Sequence, residues 1–353
     1  MDEKAKEILV LLLASVSNDE DKSVGSVIYE SLAAAAVEMA KMGVELETAK
    51  EKLSIEKLSG EELAQRIKER TGLTRKEATR AIESVTLTGT GTIYIGDVFE
   101  TPGGVQFRAT ESKSIVLTGI VKIEAVLSGS GGNVPANTIT LFPVTLAGFT
   151  AVTNAAPTHD GFEAESDTDL LQRYYDRVKT PATSGNKSHY VNWAKEVSGV
   201  GLAEVIPLWN GDNTVKVVII DQNRQPASPE LVENVQNYID PGITGLGKGT
   251  APIGAFTTIV SAAGVDINVS VTIILSAGYT LSQAEGNIVA ALTIYLKDVA
   301  FVESIVSYAK VGAAILDSDG VEDYSGLTVN GGTANIVIGN EQVAILGVTA
   351  VVT

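Results

Sequence analysis

The sequence predicts an α+β multidomain protein, in which an N-terminal helical, coiled-coil-like segment precedes a β-rich domain and two small α/β sandwich-like domains. Three observations carry this. A chain of 353 residues is too long for one ordinary core, and roughly two to four domains are expected. Apolar residues recur with a helical period over the first part of the chain and switch to alternation at Val85. From Asn154 onward strand-like runs and helical stretches are mixed, which suits small sheets with helices on one face. The implied divisions are 1–84, 85–153, 154–263 and 264–353.

The cleanest period lies between Gly25 and Leu58. Ile28, Leu32, Ala35, Met39, Met42, Leu46, Ala49 and Leu53 alternate in spacings of four and three, the heptad seam of a helix that packs lengthwise on partners. Glu30, Glu38, Lys41, Glu45, Lys50 and Glu51 fall on other faces. A continuous helix here is on the order of 40 Å long, more than a small domain needs internally. Ile28, Leu32, Met39, Met42, Leu46 and Leu53 are therefore candidate interface residues; packing within the protein's own N-terminal bundle is the plainer alternative. Ser59 with Glu62, then Thr74 with Glu77, match the capping box and predict two shorter helices separated by Gly72.

At Val85 the pattern alternates: Val85 and Leu87, then Ile93 and Ile95, a turn at Thr101–Gly104, then Val105 and Phe107, with further strands at 115–117 and 121–126. A helix is expected over 166–179, with Leu170, Tyr174 and Val178 on one side. A turn (Pro181, Ser184, Gly185) then leads into a helix carrying Tyr190, Trp193 and Val197, followed by two apolar strands joined at 210–213. A helix over 228–238 with Pro229 in its first turn and a strand over 256–260 complete this domain. The last part repeats the mixture: strand 265–275, helix 281–296, a helical piece over 302–315, and strands at 336–338 and 343–351.

Composition excludes several functions. Lys and Arg number 26 against 43 Asp and Glu, a net charge of −17, which argues against a nucleic-acid partner. Without cysteine there is no disulfide, thiolate metal site or cysteine nucleophile. The apolar run Ile8–Val16 follows the acidic leader MDEKAKE rather than a positive start, so neither a signal peptide nor a membrane span is expected, and the chain is expected to be made and kept in the cytosol until assembly. The residues after Ser84 are poor in charge and rich in Gly, Ala, Val, Ile and Thr, a composition suited to large permanent contacts.

Searches for chemistry return structural explanations. GITGLGKG at Gly242–Gly249 matches the phosphate-loop pattern through its lysine, but Gly249 stands where Ser or Thr must hold magnesium, and the motif follows a helix instead of a strand. His159, Asp160, Glu163, Glu165, Asp167 and Asp169 resemble a metal cluster, yet helix-start capping by Ser166 or Asp167 accounts for the later members. Asp317, Asp319 and Gly320 lack the closing glutamate of a calcium loop and read as a turn. His189, beside Tyr190 and Trp193, reads as a packing or surface residue in preference to an acid–base group. Trp193 and Trp209 are candidate interface anchors, with core packing between helix and hairpin the alternative. No catalytic, cofactor or metal residue is assigned.

Several stretches together resemble the baseplate J-like family, the wedge proteins of contractile phage tails and tail-like bacteriocins: DKSVGSVIYESLAAAA, TPGGVQFRATE at Thr101, GGNVPANTITLFPV at Gly131, GVEDYSGLTVNGG at Gly320, and above all the block from Glu165 to Asp221. The resemblance implies a nonenzymatic structural subunit, without cofactor, of a contractile tail or tail-like particle. Its N-terminal helices would join a heteromeric bundle with other wedge subunits, and the remaining domains would link wedges, further copies included, into a ring around the tail hub. It further implies assembly in the bacterial host cytoplasm and no nucleic-acid or membrane partner. The alternative is a surface module presenting Trp193 and Trp209 to a glycan or receptor.

Overall fold

Helix α1 (Glu3–Ser15) begins at Asp2, whose carboxylate accepts from Ala5 N–H at 2.8 Å, and α2 (Val27–Glu51) begins at Ser26, whose hydroxyl accepts from Tyr29 N–H at 3.1 Å. Both caps satisfy backbone donors that the first helical turn leaves unpaired. These elements come from a computed structural model, which describes residues 1–179, 183 and 185–353. Its chain divides into two units, Met1–Arg75 with Ser166–Tyr174, and Lys76–Glu165 with Tyr175–Thr353.

The first unit is helical. α1 and α2 pack on one another, and α3 (Gly60–Thr71) buries Leu63 and Ile67 before ending at Gly72, whose φ of 75° is the left-handed C-terminal cap that glycine adopts freely. The capping-box expectation at Ser59 is corrected: the helix starts there, but the Ser59 hydroxyl makes no cap bond, and Glu62 pairs with Lys52 at 2.5 Å. Asp167, the first residue of α4 (Asp167–Lys179), takes that role from far along the chain. It accepts from Gly60 N–H at 2.8 Å and pairs with Arg75 at 2.5 Å; these contacts hold its carboxyl below the usual aspartate range. Arg173 donates to the Thr74 carbonyl at 2.6 Å.

The helix expected from Thr74 and Glu77 does not form. Residues 73–81 lie outside helix and strand, and 76–82 pair with 159–165: Glu165 N–H donates to Lys76 O, Thr79 N–H to Phe162 O, and Ile82 N–H to His159 O. The Lys76 amide in turn donates to the Glu165 carboxylate at 3.1 Å. Tertiary backbone pairing satisfies the donors that a helix start would have left open, and local propensity yields to it.

The second unit opens with an antiparallel sheet in the order β3-β4-β6-β1-β7, formed by β1 (Ile82–Gly89), β3 (Val98–Glu100), β4 (Gln106–Ala109), β6 (Thr118–Ala125) and β7 (Phe149–Asn154), with β2 (Gly91–Ile93) paired to β5 (Lys113–Ile115). Its core is Val85, Leu87, Ile93, Phe99, Phe107, Val121, Ile123 and Val152 among others. Ile95 and Leu117 lie outside the strands, both exposed, in turns. Next comes α5 (Lys187–Glu196); the turn expected at Pro181 and Ser184 lies outside the described residues.

β8 (Val200–Pro207) and β9 (Thr214–Asp221) form the expected hairpin, and α6 (Pro229–Ile239) crosses to β10 (Phe256–Ser261), which runs parallel to β9. The sheet is apolar on both faces, which explains the unbroken run Val217–Ile220.

The last portion has the same local plan around β11 (Ala263–Leu275). α7 (Leu281–Val299), β12 (Ile305–Val306), α8 (Tyr308–Leu316), β13 (Val321–Val329), β14 (Ile336–Val337) and β15 (Gln342–Val352) follow. β11 pairs antiparallel with β13 and parallel with β15. Ile267, Val269, Val271 and Ile273 alternate inward and meet Ala284, Ile288, Leu292 and Leu296 of α7. One expectation is corrected here: the helical piece starts at Tyr308, because Ile305 and Val306 pair with β14 instead. Val321–Val329, unassigned from sequence, is a strand. The molecule is α+β and multidomain.

Candidate functional site

On α2 two heptad stripes run side by side. Tyr29, Ala33, Ala36, Ala40 and Gly43 are buried or half-buried, and α1 packs on this helix with Ala5 and Leu9 buried and Ile8, Leu12 and Leu13 half-buried. Small side chains on α2 let the two backbones approach closely. The seam expected from Ile28 lies one residue back, about 100° around the helix. It is half-covered at Ile28 and Leu32 and open from Met39 onward: Met42 is 67% exposed and Leu46 58% exposed. Leu53 is exposed too, but it lies beyond the helix, past the C-cap Lys52.

Length explains the grading. α1 has 13 residues and spans about 20 Å, whereas α2 has 25 and spans about 37 Å. From Lys41 to Glu51 every residue except Gly43 is exposed. A helical stretch of this kind gains little from its own chain, since isolated helices of that length are marginal in water. Glu38 and Glu45 flank the open seam, and Glu38 is held by Lys41 at 2.6 Å on the surface.

The two tryptophans separate. Trp193 is 9% exposed and belongs to the core under α5, edge-on to Tyr190 at 5.1 Å and stacked with His189 at 3.9 Å. It faces inward because α5 turns Tyr190, Trp193 and Ala194 toward the sheet. Trp209 sits in the hairpin turn and is 39% exposed, with the Lys216 ammonium 4.3 Å from its ring centroid. His189 accepts from Gly185 N–H through Nδ1 at 3.2 Å, and burial, followed by the charge of Arg177, lowers its pKa. It stacks, and no hydroxyl nucleophile is paired with it among the described residues.

The glycine-rich loop after α6 is occupied by the chain's own anion. Asp240 is buried, and its carboxylate accepts from the backbone N–H groups of Thr244 (3.2 Å), Gly245 (3.2 Å) and Thr257 (3.1 Å). A side chain at Gly249 would place its Cβ 2.4 Å from the Ile239 carbonyl oxygen, which accounts for glycine where a magnesium-holding hydroxyl would be needed.

The acidic cluster disperses. Glu163 accepts from the Ser130 amide and hydroxyl, Ser166 and Asp169 cap α4 reciprocally, and Asp167 and Glu165 hold the contacts described above. Among the described residues, only His159, Asp160 and Glu230 converge on one point, with ligand atoms within 4.8 Å of one another, as a divalent cation would require. Yet His159 presents Nδ1 to Asp160 at 3.1 Å and Nε2 to Glu83 at 3.8 Å and Glu230 at 3.9 Å, so its nitrogens point at different carboxylates. Asp160 also accepts from Ser228 Oγ at 2.6 Å. Asp160 first, then the charges of Glu230 and Glu83, raise the imidazole pKa against partial burial, the signature of a charge node. Asp317 caps α8, and the Asp319 carbonyl accepts from Asn287.

Sequence reasoning missed the alanine stripe that seats α1, because the run of four alanines at 33–36 singles out no one face of the helix. No described helix is long and apolar enough to cross a membrane.

Comparison with known proteins places these parts. The Baseplate J-like protein barrel domain matches residues 84–161, the Baseplate J-like central domain 182–261, and the Baseplate J-like protein C-terminal domain 267–351. The phage-like element PBSX protein XkdT of Bacillus subtilis (strain 168) is 33% identical over 347 residues, covering 98% of this chain and 97% of the relative. Baseplate protein gp47 of Escherichia phage Mu is 35% identical over 211 residues, 56% of this chain and 57% of that protein. A chain of the anti-feeding prophage baseplate aligns over 99% of this chain and 97% of its own length at 11% identity, with a TM-score of 0.37. By its three matched domains and its near full-length relative, the chain belongs to the baseplate J-like family, structural proteins of phage and phage-like baseplates.

Proposed function

We propose that this baseplate protein is a wedge subunit of a contractile tail or tail-like particle. Its N-terminal helices join a heteromeric bundle with other wedge subunits, and its remaining domains link wedges, through further copies of itself, into a ring around the tail hub. Assembly takes place in the bacterial host cytoplasm, and the protein works by contact, without catalysis or cofactor. The observation that carries the bundle is the open half of α2, where Met39, Met42 and Leu46 keep an apolar seam at heptad spacing without cover from the first unit. Flanking Glu38 and Glu45 favour a partner helix with basic flanks over a second copy of α2.

The test is a Met42→Glu/Leu46→Glu double variant, co-expressed with the other baseplate proteins of its particle. The variant is expected to keep its far-ultraviolet circular dichroism and to be lost from assembled baseplates. Incorporation at the unmodified level would overturn the bundle.

A further inference from the structure

One face of the β10-β9-β8 sheet is covered by α5 and α6. The other carries Leu202, Glu204 and Ile206 of β8 beside Ile220, Val218 and Lys216 of β9, packed against Ala300, Phe301, Val343 and Ile345. Two charges therefore stand in an otherwise apolar face, and their situations differ. Lys216 reaches both oxygens of Glu341 at 3.0 Å. Glu204, half-buried across from Val218, has no hydrogen-bond or ion-pair partner for its carboxylate among the described residues. A charged residue at a core-facing strand position breaks the pattern that the rest of the strand obeys, and such breaks concentrate at functional positions.

Glu204 lines a cavity of about 180 Å³, whose other walls include Val299, Phe301, Glu303, Ile338 and Val343. Glu303 is engaged by Lys310 at 2.6 Å. The cavity thus sets apolar groups (Val299, Phe301, Val343) beside polar ones (Ser304, Asn340, Gln342) around one uncompensated carboxylate, the complement of a side chain with an aliphatic stem and a cationic tip rich in hydrogen-bond donors. A divalent cation would want several oxygen ligands, and the second carboxylate here is already paired. Among basic side chains, the guanidinium is the more weakly hydrated and the better matched to a carboxylate in a half-dry site.

We propose that this cavity is a socket for an arginine side chain of a partner protein in the assembly, with Glu204 as its counter-charge. The partner's identity as a baseplate protein rests on the function proposed above; the socket's chemistry does not, and the test needs no assembled particle.

The full chain, labelled with nitrogen-15, is titrated with N-acetyl-arginine amide, N-acetyl-norleucine amide or calcium chloride, and the amide shifts of 299–304 and 338–344 are followed. Saturable, millimolar binding of the arginine probe is expected at these amides, weakened roughly tenfold or more by Glu204→Gln, as loss of a charge-assisted contact predicts. The norleucine probe is expected to show no saturation. Glu303→Gln is expected to leave the affinity within about twofold, because that carboxylate is already paired. Unchanged spectra away from the cavity confirm that each variant is folded. Arginine shifts that are absent from these amides, or indifferent to Glu204→Gln, overturn the socket, and so does calcium binding at the same amides with greater affinity than arginine.

Discussion

The two units handle apolar surface in opposite ways. In the second, β11 alternates cleanly: every other residue enters the core, and the outward set is largely polar. In the first, α2 divides its apolar residues between two stripes, gives the small ones to α1 and leaves the large ones open. The difference teaches that the size of an apolar residue does not tell which side of a helix is buried. Alanines pack where backbones must come close, and methionine and leucine are held where a broader surface has to be met.

Perturbing each stripe sharpens the contrast. Beyond the loss of assembly expected of the seam variant, the largest effect falls on the sheet core. Phe107→Ala should cost about 3–5 kcal/mol, because a fully buried ring leaves a cavity the β4–β6 pair cannot close; a urea midpoint unchanged from the parent would mean that the core is not where it is drawn.

Next comes a pair of substitutions in α2. Ala36→Leu should destabilise the first unit by about 1–3 kcal/mol by forcing α1 away, whereas Met42→Leu, on the open stripe, should change stability by less than about 0.5 kcal/mol. Thermal unfolding followed by circular dichroism tests both, and equal tolerance at the two positions would erase the distinction between the stripes.

Asp221 supplies a pH-dependent test in the second unit. Burial is the main cause that raises its pKa to about 6, against backbone bonds from Gln225 and Asn223. A carboxyl whose folded pKa lies above the unfolded value binds its proton more tightly when folded, so its contribution to stability is lost as pH rises from about 4 through about 6. Asp221→Asn should therefore match the parent near pH 4 and be more stable by about 1–3 kcal/mol at pH 8. Denaturation midpoints measured at both pH values decide it, and an equal or lower midpoint for the variant at pH 8 would refute the burial account. A modest loss is expected of Ser26→Ala, about 1 kcal/mol from the lost α2 cap, read as a lower melting temperature; no loss would show that the hydroxyl is dispensable.

The sequence made some of this visible and hid the rest for identifiable reasons. The seam from Ile28 was legible because large apolar residues repeat with contrast against charged neighbours, and the β9 run because a strand buried on both faces has no polar interruptions. The alanine stripe was hidden because a run of alanines has no period. Val321–Val329 was missed because Glu322, Asp323 and Ser325 face outward and Gly326 breaks the apolar count. The capping box at Thr74 misled because its competitor, the 159–165 segment, lies about eighty residues away, beyond any local pattern. Among candidate residues, the placement of Trp193 turned on which way one helix faces, and Glu204 drew no notice because its neighbours on the sheet are brought together only by folding.

The Arg75–Asp167 contact has a consequence in time. The residues that complete the first unit, Ser166–Tyr174, are separated from Arg75 by the whole of 76–165. At a synthesis rate of about 5–20 residues per second, some 5–20 s pass between the emergence of Arg75 and that of Asp167. During that interval α3 lacks the carboxylate that caps it, and the methionine-bearing face of α2 is already outside the ribosome. The N-terminal helices are made first and finished late, so a partner helix or a chaperone has its earliest opportunity to bind before the subunit is whole.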